Sequence, residues 1–213
     1  MAIKPILFNT EMVRAILDGR KDATRRIVKG FIPDDAVWGY TDFTPKGYIS
    51  CRGTFADGYG EKFFKLPCNP VDILYVRETW SPVFVVPRRY LYKVGCKEAE
   101  NLTIKWHPSI HMPKEAARIW LKVKDVRVER IKDMTDKDAL NEGAQGVKCD
   151  HAGWGPYGCT DCMNTGWLEP PILEFIGIWD STIKKSDIDR YGWDANPWAW
   201  VIEFERCEKP EGV

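Results

Sequence analysis

Basic and hydroxyl side chains are concentrated on a predicted tight turn directly after the first predicted helix, where five of them fall within seven positions: Arg20, Lys21, Thr24, Arg25 and Arg26. An ammonium group close to a threonine hydroxyl can help to activate it as a nucleophile, and clustered cations can bind an anion. A solvated basic turn would have the same composition. The spacing is therefore compatible with chemistry but does not require it.

A second group has the spacing of metal ligands: Cys149, His151, Cys159 and Cys162. The Cys-x2-Cys pair directs two thiolates at one ion, and the glycines around it permit the turns that bring distant ligands together. Four soft ligands predict a closed, structural Zn²⁺ site. Reduced structural cysteines or a disulfide are the alternatives, although the chain total of seven cysteines argues against a complete disulfide framework.

Two further positions could recognise a ligand. Arg77 and Glu78 end a predicted strand and could contact the polar edge of a base through paired hydrogen bonds, or they could form a strand-end ion pair of little energetic value. His111 lies in segment 106–113, which contains two prolines and two histidines. Its imidazole could act as a base, bind an anion, or fix the loop through hydrogen bonds.

Strands and short helices have to position these side chains. Hydrophobic periodicity and turn residues predict strands at 4–8, 48–51, 62–65, 73–77, 88–94, 119–131 and 198–207 and helices at 10–17, 136–141 and 171–184. Thr10 and Thr135 are the predicted N-caps of the first two helices, and Gly19 and Gly143 end them. In strand 119–131 the apolar alternation changes phase near Asp125, which predicts a bulge or bend.

Charged groups occur at two notable places on these elements. The outward face of strand 119–131 carries a basic stripe, Lys122, Lys124, Arg127 and Arg130, which could follow a phosphate backbone or simply be solvated. Glu142 lies at the end of helix 136–141, and an acid in that position suits proton transfer.

Composition limits the function classes. The chain has 213 residues, 44% of them hydrophobic, which predicts one domain with a full core. Lys plus Arg and Asp plus Glu are equal at 31 each, so only a local basic patch could attract nucleic acid. Ten tryptophans suit core packing or base stacking. A signal peptide and an apolar run of membrane-spanning length are not found, which predicts a cytoplasmic protein without membrane contact.

The segment Gly19-Arg20-Lys21-x-x-Thr24-x-Arg26 resembles the signature of the ASCH family, small β-barrel proteins of the PUA-like superfamily. Matching pieces follow in order at 72–78, 134–143 and 200–204. The longer patterns W-H-P-S-I-H-M-P and N-P-W-A-W-V-I-E-F are similar to larger ASCH-type proteins of bacteriophages and prophages. The resemblance implies an α+β fold, a PUA-like barrel with flanking helices and insertions at about 30–70, 95–118 and 145–170. The cysteine and histidine spacing, and not the family, predicts that zinc staples the last insertion.

The resemblance also implies a function. ASCH proteins that remove an acetyl group from 4-acetylcytidine use a lysine, a threonine and a glutamate, which correspond here to Lys21, Thr24 and Glu142. These three, together with Glu78, are expected to converge on one cavity. The expected ligand is a modified nucleoside or RNA, and no organic cofactor is expected. The residues expected to bind the substrate are Arg20, Arg25, Arg26, Arg77, Glu78 and His111.

Other function classes remain open. Some ASCH-type proteins are credited with RNA binding or ribonuclease activity, for which Lys21, Arg25, Arg26 and the basic stripe would be the working residues. A phage accessory protein that binds a host protein without catalysis is a third possibility. The chain departs from the family at Asp22, where many relatives carry threonine or serine, and the added negative charge beside Lys21 weakens the hydrolase hypothesis.

Overall fold

The computed structural model describes residues 1–83, 89–96, 104–150, 159, 162–163 and 165–212. The fold is mixed α+β, with several sheets and a few short helices. The strands are β1 (Ile3–Leu7), β2 (Ala23–Ile27), β3 (Val37–Gly39), β4 (Tyr48–Phe55), β5 (Gly58–Lys65), β6 (Ile73–Arg77), β7 (Trp80–Val83), β8 (Arg89–Tyr92), β9 (Trp120–Arg130), β10 (Val147–Lys148), β11 (Trp167–Glu169) and β12 (Trp198–Cys207). The α-helices are α1 (Thr10–Leu17), α2 (Asp136–Asn141), α3 (Pro171–Thr182) and α4 (Ile188–Tyr191), and 3-10 turns occur at Ser109–His111, Lys114–Ala116, Ile131–Asp133, Lys185–Asp187 and Trp193–Ala195.

The largest sheet has the strand order β1-β6-β9-β12-β2. Strand β1 pairs in parallel with β6, and β6 pairs antiparallel with β9. Three smaller antiparallel sheets are formed by β3-β4-β5, β7-β8 and β10-β11. In the described parts of the chain no pairing closes the large sheet into a barrel.

The chain divides into two compact units. Unit 1 comprises Met1–Asp22, Ile32–Val126 and Ile202–Val213, and unit 2 comprises Ala23–Phe31 and Arg127–Val201. Each unit buries its own apolar cluster, which is the main favourable contribution to folding. The unit 1 cluster contains Ile73, Tyr75, Met112, Ala116, Ala117 and Trp120. The unit 2 cluster contains Ile131, Met134, Ala139, Ala144, Phe175, Trp179 and Ala199.

The helix ends follow local sequence signals closely. Helix α1 has the predicted bounds, but its N-cap is Asn9 and not Thr10, because the extended Asn9 places its side chain where it accepts a hydrogen bond from the Met12 amide at 2.8 Å. Gly19 follows with a φ of 72°, the left-handed conformation that glycine adopts without strain. Thr135 caps α2 as predicted. Helix α3 ends at Thr182, two residues before the predicted end.

Strand β9 confirms the predicted change of phase. Leu121 and Val123 are buried, and the next buried position is Val126, three residues further on. An unbroken strand alternation would have buried position 125 instead. Within the described residues, no helix is long and apolar enough to cross a membrane.

Candidate functional site

The turn after α1 holds Lys21 in a buried position. The amides of Arg20 and Lys21 donate to the Ala15 carbonyl oxygen at 2.9 and 3.1 Å, which closes the end of the helix. Lys21 is only 4% exposed, and its Nζ lies 5.6 Å from the centroid of the Phe8 ring. Arg20, in contrast, pairs near the surface with Asp18 at 3.1 Å. The turn therefore presents one buried and one accessible cation.

The residues after that turn form a strand, and their prediction as part of a tight turn is wrong. Thr24, Arg25 and Arg26 belong to β2, whose continuation is fixed by a 3.0 Å hydrogen bond from the Val28 amide to the Trp198 carbonyl. Because side chains alternate along a strand, Thr24 and Arg26 point to one side of β2 and Arg25 to the other. Thr24 is 1% exposed.

Arg25 is buried at the centre of a carboxylate cluster in unit 2. Its side chain is 1% exposed, and its Nη2 lies 3.2 Å from Glu129 Oε2 and 3.7 Å from Asp138 Oδ1. Its Nη1 lies 3.5 Å from Glu142 Oε1. Arg127 Nε binds the other oxygen of Glu129 at 2.5 Å. Arg25 thus links the β2 strand to the carboxylates of β9 and α2.

The electrostatics around Asp138 favour the ionised form of its carboxyl group. Burial opposes the charge of Asp138, but hydrogen bonds from Thr135 and the charges of Arg25 and Arg127 outweigh it and lower the pKa of that carboxyl. Asp138 also completes the capping box of α2 through the Thr135 amide at 3.0 Å. The same carboxylate therefore caps the helix and pairs with the Arg25 guanidinium.

Glu142 is the C-cap residue of α2, as the sequence predicted for the end of that helix. It is 7% exposed. Burial lowers the pKa of Arg26, and the Glu142 carboxylate opposes that shift. Thr24, the two arginines and Glu142 all belong to unit 2. Within this unit, Arg25 and Arg26 interact with Glu142. Thr24 belongs to the same strand as these two arginines.

Asp22, the residue that departs from the family pattern, belongs with Lys21 to unit 1. Desolvation of its carboxyl and the nearby Glu203 carboxylate raise the pKa of Asp22, while Lys124 and Lys21 oppose the shift.

Glu78 is oriented by a residue that sequence reasoning missed, Arg118. The Glu78 side chain is 2% exposed, and Arg118 binds it in a bidentate fashion, with Nε to Oε1 and Nη2 to Oε2 both at 2.8 Å. Arg118 is fixed in turn by the Val94 carbonyl at 2.9 Å and lies 4.1 Å from the Tyr92 ring centroid. Forty residues separate Glu78 and Arg118, so no local pattern could have indicated this pair.

Arg77 and His111 lie in the same unit and have different surroundings. Arg77 Nη1 donates to the Ile110 carbonyl at 3.2 Å, so the guanidinium holds the loop that carries His111. His111 lies in an exposed 3-10 turn, and its imidazole has no hydrogen-bond partner among the residues that the structure describes. The loop is therefore held through Arg77, while the histidine faces solvent.

The basic stripe on β9 is only partly accessible. Lys122 and Lys124 are exposed. Arg127 pairs with Glu129, and Arg130 donates to the Asn196 carbonyl at 2.9 Å. Two lysines are thus the part of the stripe that solvent or a ligand reaches most easily.

Three of the predicted metal ligands form a cluster in unit 2. The Sγ atoms of Cys149, Cys159 and Cys162 all lie within 4.8 Å of one another, with Cys149 and Cys159 at 3.6 Å. All three are free thiols. Burial and the two neighbouring thiols raise the pKa of Cys149 to about 12 in the absence of metal. His151, the fourth predicted ligand, lies outside the described residues. The three thiols could hold a metal ion.

Local structure explains why the thiols meet. Cys149 follows β10, and its amide donates to the Gly166 carbonyl at 3.1 Å across the β10-β11 hairpin. Gly166 has a φ of 83°, which turns the chain back toward the first strand. The Thr165 amide closes the Cys162 turn at 2.9 Å. The β10-β11 hairpin therefore positions Cys149, and the turn that begins at Cys162 positions that residue.

Comparison of the chain with models of known families, with curated proteins and with solved structures returns no match. The motifs quoted above and the geometry of each unit are therefore the basis for a functional hypothesis.

Proposed function

We propose that this protein is an ASCH-type, PUA-like protein that binds a nucleobase or nucleoside and hydrolyses an N-acyl group from it. Lys21, Thr24 and Glu142 would carry the reaction, on a substrate of the N-acylated cytosine class. Glu78, His111 and the arginines Arg20, Arg26 and Arg77 would contact the substrate.

The observation that carries this proposal is the burial of its three reactive groups. Lys21, Thr24 and Glu142 are 4%, 1% and 7% exposed. Burying an ammonium, a hydroxyl and a carboxylate is costly, so such groups are concentrated at functional sites more often than on ordinary surfaces. Arg25 Nη1 lies 3.5 Å from Glu142 Oε1, so Arg25 would act as a positioning residue for that carboxylate.

The reaction would pass through an acyl-threonine. Thr24 Oγ1 attacks the amide carbonyl carbon, the Glu142 carboxylate accepts the hydroxyl proton, and the Lys21 ammonium stabilises the negative oxygen that develops. Collapse of the tetrahedral species breaks the C–N bond, and Glu142 returns its proton to the leaving nitrogen. Water then hydrolyses the ester and releases the carboxylic acid. The products are the free amine of the base and the acid.

Recognition of the base would use Glu78. A carboxylate accepts a hydrogen bond from the exocyclic nitrogen of cytosine. The bidentate grip of Arg118 on both Glu78 oxygens fixes the plane of that carboxylate, so one orientation is available to a base. We infer that Arg118 sets the geometry of recognition without contacting the substrate.

The thiol cluster would hold zinc in a structural role. A tetrahedral ZnS4 centre with Zn–S bonds of about 2.3 Å has sulfur atoms about 3.8 Å apart. The 3.6 Å between Cys149 and Cys159 and the 4.8 Å limit for the three thiols agree with that geometry. A disulfide would need the sulfurs about 2.0 Å apart. His151 would be the fourth ligand.

Turnover of 4-acetylcytidine by Thr24 variants tests the hydrolase directly. Thr24→Ala should abolish turnover but leave nucleoside affinity nearly unchanged, because one hydroxyl contributes little to ground-state binding. Thr24→Ser keeps the hydroxyl and should retain activity. Lys21→Ala should lose both turnover and affinity, and Glu142→Gln should lose turnover. If the wild type hydrolyses no acylated nucleoside and Thr24→Ala binds nucleosides as the wild type does, the hydrolase proposal fails and the binding proposal remains.

RNA binding or ribonuclease activity is a second candidate, favoured by the exposed Lys122 and Lys124 on β9. Arg25 gives this candidate little support, because its side chain is 1% exposed and surrounded by three carboxylates. Cleavage of unmodified RNA with a steep salt dependence, made shallower by Lys122→Ala and Lys124→Ala, would select this candidate over the hydrolase.

A further inference from the structure

Exposed aromatic rings lie on one face of the β3-β4-β5 sheet in unit 1. Tyr59 and Phe63 are four residues apart on β5, so they share a face. They are 74% and 38% exposed. Their register partners on β4 are Thr54 and Ser50. Neither ring has an aromatic or cationic partner in the described part of the chain. Two accessible aromatic rings thus lie on the same face of β5, four residues apart.

The same face carries two cations. Arg52 is opposite Glu61, and Lys65 is opposite Tyr48, in the β4-β5 register. Both basic side chains are exposed and make no ion pair with any described residue. Glu61 on this face accepts hydrogen bonds from the hydroxyls of Ser50 and Thr41. Asp35 is a second carboxylate at the face and accepts a hydrogen bond from the Thr54 hydroxyl at 2.7 Å. Both carboxylates thus have hydroxyl donors, while the two cations are exposed.

Core packing does not explain these rings. The opposite face of the sheet carries the buried apolar side chains, with Ile49 and Phe55 at 4% and Cys51 at 0% exposed, whereas on the ring-bearing face of β4 and β5 the small Ser50 is the buried residue. Lys62, which points to that opposite face, lies 4.2 Å from the Phe55 ring centroid. The sheet is anchored through this face, so the ring of Tyr59 contributes little to its stability.

A loop adds further rings at the edge of the face. Thr41 Oγ1 donates to Glu61 Oε1 at 3.3 Å, which holds the loop between β3 and β4 against the exposed side of β5. Tyr40 and Phe43, which flank this contact, are 65% and 83% exposed. Four exposed aromatic side chains thus occur on or beside this face, and exposed apolar patches mark interaction sites.

We propose that this face binds a single-stranded nucleic acid, with bases stacked on Tyr59 and Phe63 and phosphates contacting Arg52 and Lys65. Every base has a π face, so stacking on rings needs no particular sequence, and cations in a strand-binding site follow the backbone. The two rings are about 13 Å apart along β5, which accommodates splayed bases. A duplex keeps its bases stacked internally and cannot offer them to the rings. The surface shares no residue with the proposed hydrolase and does not depend on that activity.

Fluorescence anisotropy with labelled oligouridylate of about 10 nucleotides tests this surface. The single strand should bind, and the matching duplex should bind far more weakly. Tyr59→Ala and Phe63→Ala should each weaken binding by about fivefold to a hundredfold, and Tyr59→Phe should retain it. Arg52→Ala and Lys65→Ala should each reduce the slope of log affinity against log salt by about 0.7.

Two matched controls lie outside the face. Phe31→Ala removes an aromatic ring that is 64% exposed but not part of these strands, and Lys62→Ala removes a cation from the opposite face of β5. Both should bind the oligonucleotide as the wild type does. Circular dichroism should show each variant folded.

The proposal is overturned if the wild type binds no single strand, or if Tyr59→Ala and Phe63→Ala bind as well as the wild type. Sedimentation that reveals self-association abolished by Tyr59→Ala, without oligonucleotide binding, would assign the face to a protein interface and also overturn it. Thr24→Ala should bind the oligonucleotide normally, so failure of the hydrolase proposal and failure of this one are distinguishable.

Discussion

Replacing Arg25 by methionine should destabilise the protein strongly, because it removes the central cation of a buried cluster. Methionine keeps the aliphatic bulk of the side chain, so the change isolates the charge. Glu129 retains Arg127 at 2.5 Å and Asp138 retains the Thr135 hydroxyl at 2.6 Å. Glu142, with a side chain that is 5% exposed, loses a guanidinium nitrogen at 3.5 Å.

The magnitude follows from that distance and burial. Unit charges 3.5 Å apart attract by about 5 kcal/mol at an effective dielectric constant of about 20. Breaking a buried pair by removing one partner typically costs about 3–5 kcal/mol. We expect the free energy of unfolding of Arg25→Met to fall by that amount. Adding Glu142→Gln should recover about 1–3 kcal/mol, because the unpaired charge is then gone.

Urea denaturation measures this effect, with Arg14→Met as the matched control. Arg14 also pairs with a carboxylate, Glu11 Oε2 at 2.8 Å, but its side chain is 52% exposed. Exposed pairs contribute less than about 1 kcal/mol, so Arg14→Met should scarcely move the transition midpoint. If Arg25→Met and Arg14→Met shift the midpoint equally, burial does not amplify the Arg25 cluster and the reasoning is refuted.

Further predictions concern acid stability, metal, thiols and recognition. The pKa of Asp138 is lower in the folded protein than in the unfolded chain, so this carboxylate stabilises the fold above about pH 4 and ceases to do so as the pH falls through the folded pKa. Asp138→Asn should therefore flatten the plot of unfolding free energy against pH between about pH 5 and pH 2. An unchanged plot would contradict this. Elemental analysis should find about one equivalent of zinc. The double variant Cys159→Ser, Cys162→Ser should release the zinc and loosen the β10-β11 hairpin while both cores stay folded, and the control Cys96→Ser should keep the zinc. Absence of metal from protein never exposed to chelators would end the zinc proposal. Burial raises the pKa of Cys51 and of Cys68 to about 11, so only about one of these thiols in a thousand is ionised at pH 8. A disulfide reagent should therefore leave both cysteines unmodified in the native protein and should label them after unfolding. Arg118→Ala should weaken nucleoside binding about tenfold, because it releases the Glu78 carboxylate. Lys114 is an exposed lysine nearby in the chain, and Lys114→Ala should bind as the wild type does. Equal affinities of the two variants would show that Arg118 has no part in recognition.

Local signals in the sequence were sufficient for features that depend on neighbours in the chain. The bounds of α1 and α2, the Thr135 cap and the positive φ of Gly19 each depend on side chains within four residues. The phase change in β9 can be read from the sequence, because the apolar residues Val123 and Val126 are three positions apart and not two or four, and both are buried. The spacing of Cys149, Cys159 and Cys162 likewise indicated the thiol cluster, since the three cysteines are close to one another in the chain.

Tertiary structure alone decided the partners of the polar groups. Arg25 meets Glu129 across 104 residues and Glu78 meets Arg118 across 40, and neither separation has a periodic signature. The segment at Thr24 was expected to be a turn and is a strand, because hydrogen bonds to a distant strand outweigh local preference. Strands β4 and β5 extend beyond their predicted ends for the same reason, as each residue gains a partner on the other. Residue types in this sequence therefore indicated which groups could react, while long-range packing determined which of them are buried and what each one contacts.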